Sequence, residues 1–113
     1  MPDVLHSLER PELFEKFKAQ LYKDFELAGL ADYAPKFISN NLNDIYDAVL
    51  NSVLLIERKD STSLMTLLYR IDISKQQLKT ASQNSTNNLK QVIAELIIKR
   101  VLQKVILKEK YSS

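Results

Sequence analysis

The stretch Ser63–Leu78 reads SLMTLLYRIDISKQQL, and its reading decides the fold. On a helix of about 3.6 residues per turn, Leu64, Leu67, Leu68 and Ile71 fall on one side, with Met65 at the flank. Little polar surface remains beyond Thr66 and Arg70, so this short helix is expected to be the innermost one, covered by its neighbours. Ser61, Thr62 or Ser63 can cap its start, a hydroxyl accepting from amides that have no partner inside the helix. Arg70 falls in the last turn, where a cation meets the negative end of the helix dipole.

A local signal follows at once. Ser74 and Gln77 have the spacing of a capping box, in which each side chain accepts from the other residue's backbone amide. Ile73 and Leu78 occupy the two positions of the hydrophobic staple. A new helix is therefore expected to open at Ser74. Asp72 lies in the corner between the two helices and can bond forward to backbone amides. Tyr69, Arg70 and Asp72 form a candidate polar site of phenol, cation and carboxylate. The plainer reading of the same residues is a half-buried ring, a helix C-terminus and a corner bond, since each already has a local role.

Working outward, Pro11 suits the first helical position, because its missing N–H would be unpaired there. Glu12 and Glu15 follow at the positive end of the dipole. The spacing predicts a helix from Pro11 to Ala28, with Leu13, Phe14, Phe17, Leu21, Phe25 and Ala28 on one face. Its ring face carries no interleaved Lys or Arg, so it reads as core and not as a platform for bases. Gly29 is the expected left-handed cap. Leu30 to Ser39 is a connector with a short turn, and Tyr33 and Phe37 are available to pack down from it. A second helix opens at Asn40 or Asn41 and buries Leu42, Ile45, Tyr46, Val49, Leu50, Val53 and Ile56. It stops in Glu57-Arg58-Lys59-Asp60. Residues 1–8 read as an irregular lead-in, and His6 receives no role.

Beyond Leu78 the periodicity fades. Thr80 to Asn88, TASQNSTNN, reads as an exposed loop. The last helix is expected from about Thr86 to Lys110, roughly 35 Å long and the longest in the chain. Leu89, Val92, Ile93, Leu96 and Ile97 make one ridge; Ile98, Val101, Leu102, Val105 and Ile106 make another, turned well round from it. Three arrangements satisfy this pattern: a bend, burial between the other helices, or a projecting second half that packs on another copy. The third is favoured, with Val101, Leu102, Val105 and Ile106 as the self-association surface of a homodimer. A C-terminal strand is the fourth arrangement, given the β-branched residues. The end, Lys108 to Ser113, reads as exposed.

Composition narrows the function. The 113 residues suit one helical domain, 1–113, and 45% hydrophobic content suits a folded core. One Gly and three Pro leave few of the tight turns that sheets need. With no Cys, disulfides, Cys-ligated zinc, iron–sulfur clusters and thiol catalysis are excluded. A single His leaves no His-rich metal site and little material for a triad. One glycine cannot build a phosphate loop. Asp24, Asp44, Asp47 and Glu57 could offer carboxylates to a metal, but the Glu-x-x-His pairs of di-metal bundles are missing. No cofactor and no enzymatic activity are expected. No apolar run approaches the roughly 20 residues of a membrane span, and the acidic N-terminus does not read as a signal peptide, so the cytoplasm is the expected location. Asn84-Ser85-Thr86 matches a glycosylation acceptor and is taken as chance.

Charge is unevenly placed. Residues 1–60 hold seven Lys/Arg against eleven Asp/Glu, a net −4; residues 61–113 hold nine against three, a net +6. The split fits an acidic partner, or more simply attraction between the two halves of one bundle. Lys99, Arg100, Lys104 and Lys108 could meet nucleic-acid phosphates, although the Arg70–Ser74 corner lacks the Gly of a helix-turn-helix.

LLYRIDIS at Leu67–Ser74 and VIAELIIKR at Val92–Arg100 resemble stretches of small uncharacterised all-helical bacterial proteins. The resemblance implies a helical fold and a bacterial cytoplasmic origin, and it brings no activity with it. The expectation is thus an all-α compact bundle of about four to five helices. It would serve as a non-catalytic interaction or regulatory module whose partner is itself or another protein. A nucleic-acid-associated protein and a binder of a small molecule in the aromatic core are the alternatives.

Overall fold

The computed structural model describes residues 4–111. After a 3₁₀ turn, Val4–Glu9, come α1 (Pro11–Leu27), a short 3₁₀ turn (Ala31–Tyr33), α2 (Leu42–Lys59), α3 (Ser61–Ile71), α4 (Lys75–Gln83) and α5 (Leu89–Tyr111). There is no strand among the described residues, so the all-α expectation stands and the C-terminal strand does not. Of the lead-in, Met1 to Asp3 lie outside the described residues, as do Ser112 and Ser113 of the tail. The rest of the lead-in is not irregular: its 3₁₀ turn buries Leu8 against the core.

The innermost helix is α5, not α3. It packs against α1, α2, α3, α4 and the N-terminal 3₁₀ turn. The two apolar ridges of α5 face different neighbours, so nearly its whole circumference is used. Val101 and Leu102 are 0% exposed, Val105 is buried and Ile106 packs partly buried against the core. This corrects the expectation that these four residues form an exposed self-association surface. The chain's own helices already cover the ridge. Nor does α5 project: the radius of gyration, 13.4 Å, is that of a compact domain of this length, about 13 Å.

By contrast α3 is amphipathic and peripheral. Leu64, Leu67, Leu68 and Ile71 are buried as expected, while Met65, Thr66, Tyr69 and Arg70 face outward. Its cap is Asp60, one residue before the expected hydroxyls, whose Oδ1 accepts from the Ser63 amide at 2.6 Å. A short carboxylate serves as well as a hydroxyl there and adds a favourable charge at the dipole's positive end.

Both expected turn devices are present. Gly29 has φ +77°, and the Leu30 amide bonds back to the Phe25 carbonyl at 2.8 Å. Asp72 closes α3 in the same left-handed way at φ +75°, with the Ile73 amide on the Leu68 carbonyl at 2.9 Å. At Ser74 the capping box is complete: Ser74 Oγ accepts from the Gln77 amide at 3.0 Å and Gln77 Oε1 from the Ser74 amide at 2.8 Å. The helix then runs on through Thr80 to Gln83, residues expected in the polar loop. A second reciprocal pair, Asn88 with Gln91, opens α5.

Candidate functional site

The cations of α5 are mostly committed within the chain. Lys90 pairs with Glu57 at 3.1 Å, Arg100 with Asp72 at 2.9 Å and Lys104 with Asp24 at 2.9 Å. Lys108 donates to Gln20 Oε1 at 2.7 Å, and Glu109 pairs with Lys16. These contacts tie α5 to α1, α2 and the α3–α4 corner. Two of them, Lys90–Glu57 and Lys104–Asp24, are the attraction between an acidic first half and a basic second half that the charge split allows. Of the four proposed phosphate contacts, Arg100, Lys104 and Lys108 are therefore engaged. Lys99 alone among the α5 cations has no hydrogen-bond, ion-pair or ring partner among the described residues.

Asp24 is the site residue that hydrophobic periodicity could not find. It lies 2% exposed on the buried face of α1, where Gln20 Nε2 donates to Oδ1 at 3.1 Å and Lys104 Nζ to Oδ2 at 2.9 Å. Its signal in the sequence is faint: an acid one turn after an amide, both beside an otherwise apolar face. The carboxylates of Asp44, Asp47 and Glu57 do not join it, and no group of three or more His, Cys, Asp or Glu side chains forms a metal cage among the described residues.

The corner residues are separated. Tyr69 is 85% exposed and not half-buried, Arg70 is exposed beside it, and Asp72 turns to Arg100. They do not converge on a common point. Phe17 and Phe25 are fully buried, and the Phe37 ring sits 5.9 Å from that of Phe14 and 6.2 Å from that of Phe17.

Two grooves combine apolar and charged side chains in ways that bear on binding. On the first, Phe37 anchors the extended connector after the Ala31–Tyr33 turn and its neighbour Ile38 points to solvent, 92% exposed. Leu21, Tyr22, Pro35, Phe37 and Ile38 line a groove of about 320 Å³ there, with Lys18 and Lys36 at its rim. The second is a groove of about 400 Å³ between the N-terminal 3₁₀ turn, α2 and α5. Leu5, Leu42 and Ile98 supply apolar surface, and Asn43, Tyr46, Glu95 and Lys99 supply polar groups. Asn87 Nδ2 donates to Glu95 Oε1 at 2.9 Å. Partial burial holds the Tyr46 phenol above its ordinary pKa, and the carboxylates of Glu95 and Asp47 push it the same way, so it remains a hydrogen-bond donor.

No helix among the described residues is long and apolar enough to cross a membrane. No protein-family model, no curated protein and no solved structure matches this chain.

Proposed function

We propose that the chain is a small non-catalytic interaction module. Its docking surface is the groove between α1 and the connector, and its partner is a segment of another protein with bulky apolar side chains flanked by acids. The observation that carries this reading is Ile38, a large aliphatic side chain held almost fully in water. Apolar surface of this kind beside Tyr22, rimmed by lysines, is the composition of a small recognition site. Lys36 makes the rim cationic, which selects acids in the partner and speeds its approach, whereas Lys18 already pairs with Glu15 at 3.7 Å. A bacterial cytoplasmic setting belongs to the same proposal and rests on the resemblance of LLYRIDIS and VIAELIIKR. The nucleic-acid reading is the weaker one, since three of its four cations already have partners in the chain.

Selection from a random peptide library on the full chain tests the proposal. Enriched peptides are expected to carry Leu, Ile, Phe or Trp beside Asp or Glu. Ile38→Asp and Lys36→Glu should each weaken the best of them roughly tenfold or more. No enrichment, or affinity unchanged in both variants, would overturn the proposal. So would a dimer in sedimentation that Ile38→Asp dissociates, because the occupant would then be a second copy.

A further inference from the structure

The groove between the N-terminal 3₁₀ turn, α2 and α5 presents a different chemistry from the connector surface. Lys99 is half-buried at its edge and is the one α5 cation without a partner among the described residues. Glu95 stands four residues earlier, about 6 Å along the axis, on the same face. A Glu four residues before a Lys ordinarily pairs with it on an exposed helix. No such pair forms here; Glu95 Oε1 instead accepts from Asn87 Nδ2. An opposite-charge pair is thus held open beside the apolar side chains of Leu5, Leu42 and Ile98.

We propose that this groove binds a free α-amino acid with an apolar side chain. The carboxylate of such a ligand meets Lys99, its ammonium meets Glu95, and its side chain covers Leu5 and Leu42. The fit follows from where the charges sit. An α-amino acid carries both on one carbon, which suits two opposite protein charges four residues apart. The Tyr46 hydroxyl is a further donor toward the ligand's carboxylate. Other classes fit less well. A phosphate would be repelled by Glu95, a neutral sugar would leave Lys99 unmatched, and a fatty acid would leave Glu95 unmatched. A volume of about 400 Å³ lies within the ordinary range for small-ligand sites, roughly 300–1,000 Å³.

Titration of the full ¹⁵N-labelled chain with L-leucine, followed by amide shifts, tests the assignment. Leucinamide, which lacks the carboxylate, and N-acetyl-L-leucine, which lacks the ammonium, are run beside it. L-Leucine should shift amides in residues 42–46 and 95–99 saturably, and each analogue should bind roughly tenfold or more weakly. Lys99→Gln and Glu95→Gln, both at solvent-reached positions, should each lower leucine affinity by a similar factor and leave distant amides in place. No saturable shift by about 10 mM leucine overturns the proposal. Binding unaffected by both variants overturns it as well. Equal binding of N-acetyl-L-leucine reduces the site to one for simple carboxylates and refutes the amino-acid assignment. Because the connector surface lies elsewhere, Ile38→Asp should leave leucine binding intact, so failure of one proposal is read separately from failure of the other.

Discussion

Lys104 Nζ lies 2.9 Å from Asp24 Oδ2 and joins positions 80 residues apart. The carboxylate is buried and the ammonium largely so, and Gln20 occupies the other oxygen. Removing one partner strands a buried charge, whereas removing both replaces ions with apolar packing. Lys104→Met should therefore lower unfolding free energy by about 3 kcal/mol. The double variant Asp24→Leu with Lys104→Met should recover most of that loss. Urea unfolding midpoints at unchanged slope measure both.

How much of this was legible in the sequence depends on range. The capping box at Ser74 and Gln77, the cap at Gly29 and the buried Ile45, Val49, Val53 and Ile56 of α2 are set by neighbours within a turn and agree with the sequence reading, whereas Leu42 at the same helix's start is exposed and Ser52 is buried. The end of α4 was missed because Thr80 to Gln83 show no apolar periodicity, yet the helix opened by the box continues through them. The place of α5 is a question of long range. Its two ridges were plain, but which neighbours cover them depends on how α1, α2 and the N-terminal turn assemble round it. For the same reason α3 was expected at the centre, although Met65 and Tyr69 face outward. The Asp24–Lys104 pair and the freedom of Lys99 are likewise invisible until helices distant in sequence are brought together.

Asp72 supplies a second test. Its φ of +75° is a left-handed conformation that glycine adopts freely and alanine resists. Its exposed pair with Arg100 is of the kind that contributes between about 0 and 1 kcal/mol. Asp72→Gly should be close to neutral, since easier backbone geometry offsets the lost pair. Asp72→Ala loses the pair without that relief and should be destabilised by about 1–2 kcal/mol. Thermal melts of the three proteins give the order directly.

Ser82 Oγ is buried without a hydrogen-bond partner among the described residues. A desolvated hydroxyl of this kind costs free energy, and alanine is the better helix former. Ser82→Ala is expected to raise stability by about 0.5–1 kcal/mol. A fall in the urea midpoint would show that the hydroxyl is satisfied after all.

Asp60 and Tyr46 contribute to the pH dependence of stability with opposite signs. The Asp60 carboxyl is held below its ordinary pKa, chiefly by the Ser63 amide and then by the Ser63 side chain. Its stabilisation is present above the ordinary carboxylate range and is lost as pH falls through the lowered value. Tyr46 is shifted upward, so its contribution is complete below the ordinary tyrosine range and is lost as pH rises through the raised value. Asp60→Asn should flatten the acid limb of a stability–pH profile, and Tyr46→Phe should flatten the alkaline limb.

Native-state hydrogen exchange on α5 tests its central, fully covered position most directly. Amides of Ile97 to Val105 should exchange slowest in the chain, through global unfolding, at rates that do not change on roughly tenfold dilution. Protection of this segment that fades on dilution, or that falls below that of Leu67 to Ile71 in α3, would contradict a helix buried by its own chain.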